Sequence, residues 1–172
     1  MRGTDLNQRR NSASPGRKMS MLKRRLYSDE RDHVLAALQA SEIAPPELCQ
    51  KAVDRCVLLR RTPMVGEIRG LGGGVAYAAL KTRASAITLG SKVYIRREFF
   101  GDDGEIPLNL VAHEVAHVVQ FSRDGMLKFL YKYLRDYMAG LLRGLGDSAA
   151  YRAIPYEVEA RRVADALRMS PA

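Results

Sequence analysis

Apolar residues recur at helical spacing in two stretches near the start of the chain. Ser28 can cap a helix, and Val34 and Leu38 lie on one face of the segment that follows it. A second stretch opens at Pro45-Pro46, a pair suited to the first turn of a helix. Its apolar residues recur every three or four positions from Leu48 to Leu59. The pattern predicts two helices, the second of which reaches Leu59.

Short strand-like segments follow in the middle of the chain. The glycine-rich run 66–74 lacks the Lys-Ser/Thr ending of a phosphate-binding loop, so we interpret it as a flexible loop. Apolar and β-branched residues then predict strands at 75–78, 86–89 and 92–95. Gly90-Ser91 separates the last two strands and is typical of a hairpin turn.

The second half of the chain has a helical pattern. We expect helices at 107–121, at 126–143 and from Pro155 to about residue 169. The fold class is therefore α+β, with a small N-terminal sheet and helices packed around the helix at 107–121. Residues 26–172 are enough for one domain with a sizeable core.

Charge is concentrated at the amino terminus. The chain has a net charge of +9, and residues 1–25 contribute eight Lys or Arg against the single acid Asp5. We interpret these residues as a basic flexible arm that can make weak contacts with anionic surfaces. Because the remaining residues are nearly balanced in charge, specific nucleic-acid binding is not expected.

The composition also bears on location. No apolar run is long enough to span a membrane, and the amino terminus lacks the apolar region of a secretory signal. We therefore expect no membrane partner, and either a cytoplasmic protein or one exported by a non-classical, injection-type route. The two cysteines, Cys49 and Cys56, are expected to be reduced core residues.

The motif His113-Glu114-x-x-His117 carries the chemistry. Residues four apart lie on one face of a helix, so the two imidazoles can bind a single Zn²⁺ ion. Glu114 follows the first ligand and can act as general base on a zinc-bound water. Apolar residues surround these three on the helix, and burying them without a metal would be unfavourable.

A third protein ligand is needed, and downstream only carboxylates can provide it. The candidates are Asp124, Asp136, Asp147, Glu157, Glu159 and Asp165. Glu157 shares its helix face with Ala160 and Ala164, small residues that permit close approach to another helix. We favour Glu157, with Glu159 as the alternative.

These residues resemble the gluzincin type of metallopeptidase, in which a glutamate on a later helix completes a His-Glu-x-x-His site. The resemblance implies a zincin-like fold, with His113, His117 and Glu157 as ligands and Glu114 as base. From Ile87 to Ala160 the chain is similar to a bacterial family of short zincin-type domains without known function. Relatives of that family occur in cargo toxins of extracellular contractile injection systems, so the resemblance also suggests a bacterial effector or toxin.

One position departs from the gluzincin pattern. Arg161 stands where many gluzincins have an aspartate that orients a zinc histidine, so Asp165 or a backbone carbonyl is expected to do this instead. Tyr151 and Tyr156 are candidates for stabilising the oxyanion, and we take Tyr156 as the catalytic one. Tyr131, Tyr133 and Tyr137 are expected to pack or to reach the surface.

The sequence thus predicts a zinc-dependent metallopeptidase that acts on a peptide or protein substrate. The strand at 92–95, shortly before the active-site helix, is a candidate for a sheet edge that binds an extended peptide. The alternative is a non-catalytic, zinc-stabilised module that binds a protein partner. Glu114 favours the first hypothesis, because a structural zinc site needs no base.

Overall fold

A computed structural model describes residues 23–60, 85–101 and 105–169. The expected loop at 66–74, the expected strand at 75–78 and residues 1–22 of the expected arm lie outside them. The described elements, in chain order, are β1 (Lys23–Arg24), α1 (Ser28–Ala40), α2 (Pro46–Arg55), β2 (Val57–Leu59), β3 (Ala86–Leu89), β4 (Lys92–Ile95), a 3-10 turn (Arg97–Phe99), α3 (Leu108–Asp124), α4 (Met126–Leu142), α5 (Asp147–Ala153) and α6 (Pro155–Met169). The fold is mixed α+β and mostly helical.

The second predicted helix ends earlier than expected. Helix α2 stops at Arg55, and Val57–Leu59 forms strand β2, with Leu58 opposite Val93 in a parallel pair with β4. The prediction of helix as far as Leu59 is therefore wrong. A short apolar run does not distinguish a buried strand from a helix, and here pairing with a distant strand decides.

The sheet has the strand order β1-β2-β4-β3. Strands β3 and β4 pair antiparallel across Gly90-Ser91, which confirms the predicted hairpin, whereas β2 and β4 run parallel. Strand β4 is thus an interior strand, and the prediction that it forms a peptide-binding edge is wrong. Among the described strands, β3 is the edge strand next to β4.

The basic arm was expected to end at residue 25, but strand β1 already begins at Lys23. Lys23 and Arg24 pair antiparallel with β2, so the ordered domain includes residues assigned to the arm. The Arg24 guanidinium binds the Glu30 carboxylate at 2.5 and 2.7 Å, and its side chain is only 7% exposed. This charge-assisted pair attaches the strand to the first turn of α1.

Helix α3 is the centre of the fold and lies against α1, α2, α6 and β3. Ten of its residues are buried, including most of the segment from Val111 to Phe121, as the apolar flanks of the motif predict. Cys49 and Cys56 are free and buried in the same core, as expected. The histidines of α3 are therefore presented from a rigid, packed element.

Helix α5, which lies between the two predicted C-terminal helices, was not predicted from the sequence pattern. It packs closely on α4, because a Cβ atom added to Gly140 would lie 2.9 Å from Ala150 Cβ. Helix α4 also carries an exposed apolar face formed by Leu127, Tyr131, Leu134, Met138 and Leu142. Among the described helices, none combines the length and apolar character that crossing a bilayer requires.

Candidate metal centre

Three side chains from two helices converge on one point. His113 and His117 lie one turn apart on α3, and Glu157 lies in the first turn of α6. The Glu157 carboxylate oxygens are each 3.3 Å from an imidazole Nε2, Oε2 from His113 and Oε1 from His117. One ligand atom from each residue falls within 4.8 Å of the others. The three residues predicted as ligands are therefore close together.

The two oxygen–nitrogen distances of 3.3 Å are each suited to a pair of ligands on one zinc ion. Metal–ligand bonds of about 2.0–2.1 Å at tetrahedral angles place neighbouring ligand atoms about 3.3–3.4 Å apart. Glu157 is 1% exposed, and its Oε2 atom makes no hydrogen bond among the described residues. Arg161 Nη1 lies 4.0 Å from this oxygen, too far for a hydrogen bond, so a cation bound directly to the carboxylate would compensate its burial more fully. Two imidazoles and one carboxylate are side chains that zinc accepts as ligands, and a cavity lies beside them.

The electrostatics also favour a positive charge at this point. Burial raises the pKa of Glu157, but the imidazoles of His113 and His117, each 3.3 Å from a carboxylate oxygen, outweigh burial and hold that pKa well below its usual range. Burial lowers the pKa of His117, but the hydrogen bond to Glu157 and the Glu157 charge dominate and raise it to about 9. Without metal the cluster therefore retains a proton, which a bound cation would displace.

Glu114 is fixed beside this cluster by a residue of the sheet. The Thr88 hydroxyl on β3 donates to Glu114 Oε2 at 2.7 Å and lies 3.3 Å from the Glu114 carbonyl oxygen. Glu114 is 5% exposed and lines the cavity next to His113. Its carboxylate thus has a fixed orientation, as a general base requires. Nothing in the sequence singled out Thr88, since a threonine in a strand is ordinary.

The second ring nitrogen of His117 contacts Gln120. His117 Nδ1 lies 2.8 Å from Gln120 Oε1, whereas Gln120 Nε2 donates to the Tyr156 carbonyl and to Glu159 Oε2, both at 2.9 Å. For His117, the orienting partner is thus Gln120 and not the Asp165 or backbone carbonyl that we expected. A signal was present, because a glutamine within a buried apolar helix needs hydrogen-bonding partners.

The alternative third ligand, Glu159, has a different position. Its Oε2 atom accepts hydrogen bonds from Gln120 and from Arg123 Nη2 at 3.2 Å. Glu159 therefore supports the residue behind His117, whereas Glu157 faces both histidines. Of the two glutamates, Glu157 is the one that lies close to both imidazoles.

The prediction that Tyr156 is catalytic needs correction. Its hydroxyl donates to Asp124 Oδ2 at 3.0 Å, at the end of α3, and its ring stacks on Phe129. Adjacent helical residues point about 100° apart, so Tyr156 does not share the direction of Glu157. Burial, together with the hydrogen bond to Asp124, raises the pKa of Tyr156 to about 12.

Two other tyrosines contact the cluster instead. The Tyr133 hydroxyl on α4 donates to Glu157 Oε1 at 2.7 Å, although we had expected this residue to pack or reach the surface. Tyr151 on α5 lies close enough to Glu157 to feel its charge, and it lines the same cavity. Burial, followed by the Glu157 charge, raises the pKa of each phenol, so both remain neutral hydrogen-bond donors.

A cavity of about 790 Å³ opens beside the cluster. Its walls come from β3 and from helices α3 to α6, and they include His113, Glu114 and Glu157. Much of the lining is apolar or aromatic, including Leu110, Phe129, Leu130, Tyr133, Leu134 and Tyr151. The volume is large enough for several side chains of a peptide.

Comparison with known proteins gives one partial match. Residues 71–125, about a third of the chain, match the sequence model of the eCIS core domain, which links this segment to extracellular contractile injection systems. The match includes β3, β4 and α3 with His113, Glu114 and His117, but not Glu157. No curated protein and no solved structure shows significant similarity to the chain.

Proposed function

We propose that the chain is a zinc-dependent peptidase. His113, His117 and Glu157 are its metal ligands, and Glu114 is its general base. The observation that carries this proposal is the convergence of ligand atoms from His113, His117 and Glu157 within 4.8 Å of one another, beside a cavity that Glu114 also lines. A structural metal that only joins two helices would need neither the cavity nor an oriented carboxylate.

Zinc, when bound, would polarise the scissile carbonyl and lower the pKa of a water molecule to about 7. Glu114, oriented by Thr88, accepts a proton as the water oxygen bonds to the carbonyl carbon. It then returns that proton to the amide nitrogen, and the carbon–nitrogen bond breaks to give a carboxylic acid and an amine. Transfer of the acid proton to the amine leaves a carboxylate and an ammonium ion. The phenol of Tyr133 holds Glu157 in place during this cycle.

The cavity suggests the class of substrate. Its aliphatic and aromatic walls favour a peptide with large apolar side chains next to the scissile bond. Ala86, Thr88 and Leu89 of β3 also line the cavity, and β3 is the edge beside it in the described sheet. An extended peptide that pairs with β3 would therefore place its backbone next to Glu114.

The similarity of residues 71–125 to the eCIS core domain supports a role connected with extracellular contractile injection systems. It favours export by an injection-type route, or action within such a system, over a role confined to the cytoplasm. The peptidase would then act on a protein that it meets after delivery.

The first experiment measures zinc content and peptide cleavage together. We expect about one zinc per wild-type chain, and cleavage of a quenched-fluorescent peptide library with preference for apolar residues at the scissile bond. Glu114→Gln should retain the zinc and lose cleavage, because it removes only the base. A wild-type protein without zinc after incubation with the metal would contradict the proposal. Zinc binding without cleavage of any library member would favour the non-catalytic module.

A further inference from the structure

We infer that Gln120 is a positioning residue that fixes the tautomer of His117 and links it to the helix that carries Glu157. The inference rests on the metal centre of the proposed function. Gln120 is fully buried, and its three side-chain hydrogen-bonding contacts all lie at 2.8–2.9 Å. Among the described residues, it is the one residue of α3 whose side chain makes hydrogen bonds both to a histidine of the cluster and to α6.

The partners of Gln120 determine the orientation of its amide. Its nitrogen faces two groups that can only accept, the Tyr156 carbonyl and the Glu159 carboxylate. Rotating the amide by 180° would place its oxygen against both of these acceptors. The two acceptors therefore fix the amide nitrogen toward α6 and the amide oxygen toward His117.

This orientation determines the tautomer of His117. Because the amide oxygen is an acceptor, His117 Nδ1 must carry the proton of the 2.8 Å hydrogen bond. The neutral ring then has its lone pair on Nε2, the atom that lies 3.3 Å from Glu157 Oε1. Gln120 thus stabilises the metal-binding tautomer of His117, and no carboxylate needs to contact the imidazole Nδ1 directly.

The same amide also positions the third ligand. The carbonyl that accepts from Gln120 belongs to Tyr156, the residue immediately before Glu157. One rigid side chain thus sets both the ring orientation on α3 and the backbone position at the start of α6. Loss of a partner of this kind commonly lowers metal affinity about 10–100-fold.

The test compares Gln120→Met with a matched packing variant, Val119→Ala. Methionine has a similar length but neither donates to α6 nor accepts from His117 through an amide, whereas Val119 is equally buried on the same helix. Zinc affinity is measured by competition with a chromophoric chelator, and folding of the zinc-free proteins by circular dichroism. We expect about a 10–100-fold loss of affinity in Gln120→Met and less than about a threefold change in Val119→Ala.

A second measurement on zinc-loaded wild type does not depend on whether the variant folds. Long-range ¹H–¹⁵N correlation spectra should show His117 protonated at Nδ1 and metal-bound through Nε2. Binding through Nδ1, or unchanged zinc affinity in a folded Gln120→Met, would overturn the inference while leaving the peptidase proposal intact. A wild type that binds no zinc would overturn both.

Discussion

Replacing Glu157 by glutamine tests whether this carboxylate is a metal ligand. The substitution keeps the shape of the side chain and an oxygen for Tyr133, but it removes the charge between the two imidazoles. The ligands lie on α3 and α6, far apart in the sequence, so the unfolded chain has no complete site. Zinc should therefore bind the folded state selectively and stabilise it by mass action.

The magnitude follows from this linkage. At free zinc about 100 times the dissociation constant, stabilisation is about 2.7 kcal/mol. For a domain of this size the wild-type melting temperature should then rise by about 5–10 °C on adding zinc. If removing the ligand weakens binding at least about 100-fold, the rise in Glu157→Gln falls to about 1–2 °C at the same zinc concentration.

The assay is thermal denaturation of each protein with chelator and then with zinc. Comparing the shift rather than the absolute melting temperature cancels the intrinsic effect of the substitution. Glu159→Gln is the matched control on the same helix. It should keep most of the wild-type shift, because its amide oxygen can still accept the hydrogen bond from Gln120. A full shift in Glu157→Gln, or its loss only in Glu159→Gln, would refute the assignment of the third ligand.

Three further predictions concern neighbouring features. Thr88→Val should lower kcat/KM about 10–100-fold by removing the hydrogen bond to the Glu114 carboxylate, with zinc content unchanged and activity largely retained in Thr88→Ser. Gly140→Ala should lower the free energy of unfolding by about 1–3 kcal/mol in urea titrations, because its Cβ would overlap α5. Gly146→Ala, where the added Cβ meets nothing within 4 Å, should cost less than about 1 kcal/mol. In zinc-free protein the pKa of His117 is raised from 6.5 to about 9, so its stabilising charge is fully present below pH 6.5 and is lost as pH rises through 9. Relative to His117→Gln, the free energy of unfolding should fall by up to about 3 kcal/mol over that range, and a flat profile would contradict this electrostatic account.

Local patterns predicted much of the fold. The hairpin followed from short apolar segments on either side of Gly90-Ser91, and the buried character of α3 followed from its apolar flanks. Strand β2 could not be recognised locally, because its three residues are specified by pairing with β4 across an intervening segment. Strand β1 could not be predicted from the sequence either, since its two basic residues form a strand through pairing with β2, to which the ion pair of Arg24 with Glu30 is added.

The candidate site was predictable to a similar extent. Spacing brought His113 and His117 to one helix face, and small residues on α6 indicated Glu157. The tyrosines could not be assigned from their closeness in sequence to Glu157. Tyr133 reaches the cluster from another helix, whereas Tyr156, although adjacent to Glu157, points elsewhere.

The division of the cluster between α3 and α6 affects when it forms during protein synthesis. A ribosome that has released α3 but not α6 has produced only the two imidazoles, on a helix whose partner is still missing. Segments translated later provide the third ligand, the tyrosine that contacts it and the α6 groups that accept hydrogen bonds from Gln120. A nascent chain therefore cannot assemble the complete cluster before α6 has emerged and docked, so binding of a metal by all three side chains must wait for that step.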